Sequence, residues 1–167
     1  SGGVGDVRVS ALVGVLDTAR QRVHLNLGLS APTASIDERD DTPVATNARL
    51  PYPMQIGSGT WDVLPGLTYL GQTDDWSWGA QGIGTLRLGE NQNDYTLGNR
   101  FASTGWLSRL LSDSASVSLR LALDTWGNLS GADPALNRAM VATADPSRRA
   151  GARADIGLGL SLYGRAG

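Results

Sequence analysis

Chemistry needs a constellation of reactive side chains, and this sequence offers few. His24 is the single histidine, set between Arg22 and Asn26 in an alternating segment. It could act as a general base; a histidine held in a polar hydrogen-bond network is the simpler reading. Cysteine is absent, which excludes disulfides, thiolate metal sites and cysteine nucleophiles. No His-rich or Cys-rich metal spacing occurs. Gly57–Gly59 reads Gly-Ser-Gly but lacks the lysine and the following helix of a phosphate loop. No Gly-x-Ser-x-Gly elbow is present. Asp37, Glu38, Asp40 and Asp41 gather carboxylates of the kind that hold Ca²⁺, but Arg39 intervenes and the spacing is not that of an EF-hand. A solvated surface loop is the default; divalent bridging to lipid headgroup phosphates is the alternative. The expectation is a protein that is not an enzyme and uses no cofactor and no metal.

The remaining polar residues are ordered by a period of two, which belongs to strands, where successive side chains face opposite sides. Val7, Val9, Ala11, Val13 and Val15 alternate with a face that begins Asp6, Arg8, Ser10. Val23, Leu25, Leu27 and Leu29 alternate with Arg22, His24, Asn26, Gly28 and Ser30. Val117 to Leu123 alternates with Ser116, Ser118, Arg120, Ala122 and Asp124. Ala154 to Leu162 alternates with Arg153, Asp155, Gly157, Gly159 and Ser161. Three middle segments are less regular. Trp61–Gly71 contains Pro65, which a central strand tolerates poorly. In Trp76–Leu88, Ile83 interrupts the polar face that carries Arg87, and Phe101–Leu111 is ambiguous in register. Seven strands result. Short turns near Asp17–Ala19, Thr73–Asp75 and Ser112–Ser114 alternate with longer connections at 31–58, 90–98 and 129–151. In an up-and-down meander this puts tight turns at one end and long loops at the other, the arrangement of transmembrane β-barrels.

Composition agrees. The 167 residues fit one domain. Gly is high at 22, whereas Phe is 1 and Met 2, too little bulky filler for a helical core. All 14 basic residues are arginine, as a GC-rich coding bias would produce, and 16 acidic residues bring the net charge to −2. That balance gives no reason to expect a nucleic-acid partner. No apolar run is long enough for a membrane helix, and no basic-then-apolar export segment opens the sequence.

Alternation alone leaves two all-β readings open. In a membrane barrel the aliphatic face meets lipid and the charged face lines a lumen; in a soluble sandwich the aliphatic face is the core. Strands longer than the usual 5–6 residues favour the barrel. So do Trp61, Trp76, Trp78, Trp126, Tyr69 and Tyr163 near strand ends, where interfacial aromatic girdles sit. The barrel reading makes Asp6, Arg8, Arg22, His24, Asn26, Arg87, Arg120, Asp124, Arg153 and Asp155 lumen-lining. Their arginine and aspartate rows would either set a transverse field or pair with one another. The long loop at 31–58 is expected to fold over the mouth and narrow it with Tyr52, Met54, Gln55, Ser58 and Trp61.

The stretches Ser35–Pro43, Leu50–Gln72 (LPYPMQIGSGTWDVLPGLTYLGQ) and Gly131–Tyr163 resemble a family of bacterial outer-membrane β-barrel transporters grouped with the phenol-degradation (meta-pathway) outer-membrane proteins. The resemblance covers essentially the whole chain. It implies residence in the bacterial outer membrane, contact with outer-membrane lipid, and passive passage of small, hydrophobic or aromatic molecules. Family members extend further at both ends and finish in a strand with a terminal aromatic residue. Residues 1–167 then form one barrel domain, incomplete at both ends, with external loops at 31–58 and 129–151. Bacterial barrels have even strand counts, so the segment reads as the central part of a barrel of roughly 10–12 strands; completion by further chains, or an oligomer, is the other route. The alternative function is a non-enzymatic structural or binding β-protein, either a barrel subunit of an envelope assembly or a soluble β-sandwich.

Overall fold

The computed structural model describes residues 2–42, 45–139 and 141–163. Eleven strands follow in order: β1 (Val7–Asp17), β2 (Gln21–Ala31), β3 (Arg39–Thr42), β4 (Ala45–Arg49), β5 (Trp61–Gln72), β6 (Trp76–Leu88), β7 (Tyr95–Thr96), β8 (Arg100–Ser112), β9 (Ala115–Trp126), β10 (Ser130–Gly131) and β11 (Gly151–Leu162). Seven of them form one antiparallel sheet in the order β1-β2-β5-β6-β8-β9-β11. This is the all-β up-and-down meander read from the alternation. The short strands belong to the long loops, as a β3–β4 hairpin and a β7–β10 pair.

The register resolves the irregular segments. In β6, Trp76, Trp78, Ala80 and Leu86 share the aliphatic face, and Ile83 stands with Gln81 and Arg87 on the polar one. In β8 the aliphatic face carries Phe101 and Leu107, and the polar face Arg100, Thr104 and Trp106. Pro65 sits within the sheet opposite Leu27 of β2, while the ladder to β6 lapses between Val63↔Leu86 and Gly66↔Ile83. The missing proline N–H is thus accommodated by a local gap in one ladder. In β1 a bulge between Gly14 and Leu16 leaves Val15 out of the pairing and puts Leu16 opposite Val23. The strict alternation over Val7–Val15 therefore ends at Val13, because an extra residue resets the parity.

Burial runs opposite to that of a soluble sheet. On β2, Leu25, Leu27 and Leu29 are 37%, 54% and 45% exposed, while Ser30 on the other face is fully buried. On β5, Asp62 and Thr68 are buried and Leu67 is exposed. Along β2, β5, β6 and β8 the polar face is the more sheltered one, whereas β1 and β11 are exposed on both faces. Among the described residues the buried hydrophobic side chains are Ile36, Tyr52, Tyr95, Leu136 and Ala144. Every one of them lies in the connections 32–60, 89–99 and 127–150, none in the seven-stranded sheet.

Those connections all leave the same end of the sheet and pack into a cap. Tyr52 and Tyr95 meet edge to face with ring centroids 4.9 Å apart, and Leu136 and Ala144 complete the cluster, flanked by Leu97 and Leu129. The tight turns sit at the opposite end. There Arg109, the one charged residue on the aliphatic face among the described residues, lies 5.1 Å from the Trp76 ring, in a cation–π contact that keeps its head at the rim.

Candidate functional site

The polar face is a wall of cross-strand rows. Arg8, Ser30, Asp62 and Arg87 form the row nearest the cap. Below it run Asn26, Gly66, Ile83, Ala102, Asp124 and Arg153, then His24, Thr68, Gln81, Thr104, Ala122 and Asp155. Arg22, Leu70, Gly79, Trp106 and Arg120 form the next row toward the tight turns. Period-two geometry alone brings these residues to one side; the sequence separations between neighbours are large.

Most of the charges on the wall are paired. Arg87 binds Asp62, and Arg100 binds Asp124 through both of its fork donors, Nε at 2.8 Å from Oδ1. Arg153 Nε lies 2.8 Å from Asp155 Oδ2, and Arg22 Nε 3.1 Å from Asp17 Oδ1. Arg120 Nε donates to Thr104 Oγ1 at 3.0 Å, and Gln81 donates to Thr68 at 2.9 Å. Pairing, rather than opposed free rows, is therefore how these arginines and aspartates are arranged. Asp62 and Arg100 are functional-looking residues that the alternation could have supplied. Asp62 lies in a less regular segment, and Arg100 stands one residue before another.

Asp6 is placed differently from its neighbours on the wall. It precedes β1 and reaches into the first long loop. Its carboxylate accepts from Ala34 N at 3.1 Å, Ser58 N at 2.8 Å and Ser58 Oγ at 2.9 Å. The segment Tyr52–Ser58 is thereby tied over the cap end of the polar face. Gln55 anchors it from the other side, donating to Leu50 O at 2.8 Å and accepting from Glu38 N at 2.9 Å. Tyr52 is buried in the cap, its hydroxyl accepting from Asp133 N at 3.1 Å, and Met54 is 59% exposed.

Three aromatic assignments need correction, the first being Tyr163, expected in the outer girdle but directed to the polar side, its hydroxyl 3.5 Å from Ser116 Oγ. Trp61 is expected at the constriction, but in β5 it shares parity with Val63 and Leu67 and lies on the aliphatic face, half exposed. Its neighbour Asp62 is the residue that points to the polar side. Trp126 is expected in an outer girdle, but it shares the polar face with Asp124. Its ring occupies the space that a Cβ on Gly151 would fill. Trp106 is laid in the same way across Gly79 on that face. Both indoles therefore line the polar wall.

Between the Tyr52–Ser58 segment and the wall lies an open cleft of about 320 Å³. Arg8, Arg87, Arg100 and Arg149 reach it, with Asp6 the one acid in its lining; Trp126, Leu97 and Leu129 supply apolar surface. His24 and Asn26 stand further down the wall, away from this lining. Among the described residues no three His, Cys, Asp or Glu side chains are grouped to hold a metal. The acidic cluster serves the loop: Asp37 binds Arg49 and accepts from Asn93, and Asp41 accepts from Asn47 N.

No protein-family model matches the chain, and no curated protein matches it. Its fold is similar to the crystal structure of an outer membrane channel from Pseudomonas putida F1, with a TM-score of 0.61 at 18% sequence identity. The match covers 93% of this chain and 53% of that channel, so the chain spans about half the channel's length. The likeness establishes the fold alone: an antiparallel β meander shared with about half of that channel.

Proposed function

We propose that the chain forms part of the wall of a bacterial outer-membrane β-barrel channel. Small molecules would pass along its polar face down their concentration gradient, with no chemical step. The observation that carries this reading is the inverted burial. The inner strands β2, β5, β6 and β8 leave their aliphatic rows open and shelter their polar ones, while the apolar cores sit in the loops at one end. A sandwich would need a second layer over Leu27, Leu121 and Ile156; these residues are 54%, 50% and 75% exposed. Lipid supplies that cover at no cost in unsatisfied polar groups.

Dimensions fit as well. The 12 residues of β5, at about 3.3 Å each and tilted by about 40°, rise about 30 Å along a barrel axis, enough for an apolar band of about 25 Å. The girdle is carried by Trp61 at the cap end and by Trp76 and Trp78 at the turn end, all on the aliphatic face. In this reading β1 and β11 pair with further strands, since an open sheet edge is not tolerated in hydrocarbon. Passage of hydrophobic or aromatic compounds, as in the phenol-degradation group, is the finer form of the proposal. It is supported by Trp106 and Trp126 on the polar wall.

Planar-bilayer recording of the full-length protein tests it. We expect discrete conductance steps, together with heat-modifiable migration on gels and a need for detergent during extraction. Extraction without detergent would refute the membrane reading. A protein that inserts stably yet never conducts would refute the channel and leave a structural barrel, the reading favoured by the paired charges of the wall.

A further inference from the structure

We infer that the cleft beneath the Tyr52–Ser58 segment binds a flat, single-ring organic anion carrying a carboxylate; this rests on the channel reading and narrows its permeant. The four arginines that reach the cleft fall into two kinds. Arg87 and Arg100 are committed to Asp62 and Asp124 on the wall. Arg8 and Arg149 have no side-chain hydrogen-bond or ion-pair partner among the described residues, although both line the same cleft.

The one carboxylate in the lining forms no salt bridge with either, and its single charge faces two unpaired guanidinium groups. Asp6 already accepts three hydrogen bonds, from Ala34 N, Ser58 N and Ser58 Oγ, which occupy both its oxygens. Guanidinium donors match a carboxylate in geometry as well as charge.

Charge alone would admit any small anion. The apolar part of the lining selects for a ring. The Trp126 indole lies over Gly151 and is part of the cleft lining. Leu97 and Leu129 stand beside it. Ring stacking on an indole adds to the contact of an aromatic acid and contributes nothing to acetate. A cleft of about 320 Å³ is at the small end of ligand sites and suits one ring with its water.

The test is calorimetric titration of the full-length protein in detergent with benzoate, benzyl alcohol and acetate at low salt. We expect benzoate to bind at least tenfold more tightly than either of the others. Its affinity should fall as salt is raised, with no such fall for benzyl alcohol. The paired substitutions Arg8→Gln and Arg149→Gln should weaken benzoate about tenfold and leave benzyl alcohol unchanged; Trp126→Leu should weaken both aromatic compounds. Equal affinity for benzoate and benzyl alcohol, or a benzoate affinity indifferent to salt, overturns the proposal on the unsubstituted protein, whatever the folding of the variants. Vesicle swelling in a neutral sugar separates this from the reading beneath it. Sugar entry without preferential benzoate binding sinks the site and keeps the channel. Arginine-dependent benzoate binding without sugar entry keeps the site and sinks the channel.

Discussion

Arg49 and Asp133, 84 positions apart in the chain, meet at 2.7 Å with both side chains buried, 8% and 5% exposed. The contact joins the first long loop to the third. Arg49 also binds Asp37 at 2.6 Å and donates to Ile36 O at 3.0 Å. The neighbouring Asp133 N–H donates to the Tyr52 hydroxyl. A single guanidinium thus holds the cap together at the centre of its polar contacts, immediately beside its aromatic core.

Removing one partner of that pair should loosen the cap and spare the sheet. Breaking a buried ion pair leaves the other charge uncompensated and costs about 3–5 kcal/mol. We expect Arg49→Ala and Asp133→Ala each to expose residues 32–60 and 127–150 to limited proteolysis, with heat-modifiable migration retained. The double substitution should be less damaging than the sum of the two, because it leaves no orphan charge. Additive effects would show that the two residues act independently.

The cap should weaken at both extremes of pH. The hydrogen bond from Asn93, aided by Arg49, holds the Asp37 carboxyl below its ordinary 3.8. A carboxyl lowered on folding stabilises above its unfolded value, and that contribution is lost as pH falls through the folded one. The acid window therefore opens below pH 3.8, and the effect is small because Asp37 is half exposed. Burial pushes the Tyr95 phenol up from 10.0 to about 12. Its contribution is complete below pH 10 and disappears as pH rises through about 12. Ultraviolet titration of tyrosinate should show one late-ionising phenol that is absent in Tyr95→Phe.

The lipid face is testable by charge insertion. Leu121→Arg places a guanidinium mid-strand on the aliphatic face. In a bilayer this costs about 2–4 kcal/mol, whereas at an exposed site in water the change would be within about 0.5 kcal/mol. Denaturant titration of refolding into lipid vesicles should show the larger loss. A near-neutral result would mean that Leu121 faces water.

Asp6 should set the width of the mouth. Its three hydrogen bonds hold Ala34 and Ser58, so Asp6→Ala releases the Tyr52–Ser58 segment from the wall. We expect larger single-channel conductance and faster entry of bulky solutes, matched by deletion of Gln55–Gly59. Unchanged conductance in both variants would mean that this segment does not restrict the path.

The sequence alone determined the sheet, because a strand's alternation is local: each residue's face follows from its neighbour's. The seven strands, their order in the meander and the separation of turns from loops could all be read that way. Parity breaks at the Val15 bulge, whereas it runs unbroken through Pro65, where only the ladder to β6 lapses. It also placed Trp126 by proximity to a strand end when its parity with Asp124 puts it on the polar wall. The cap was not legible. Its segments have no period, and its defining contacts, such as Arg49 with Asp133 and Tyr52 with Tyr95, join residues that only the folded meander brings to one end. Which arginines are paired and which are left free was likewise decided in three dimensions. A row tells which residues share a face, but the reach of each side chain across rows selects its partner.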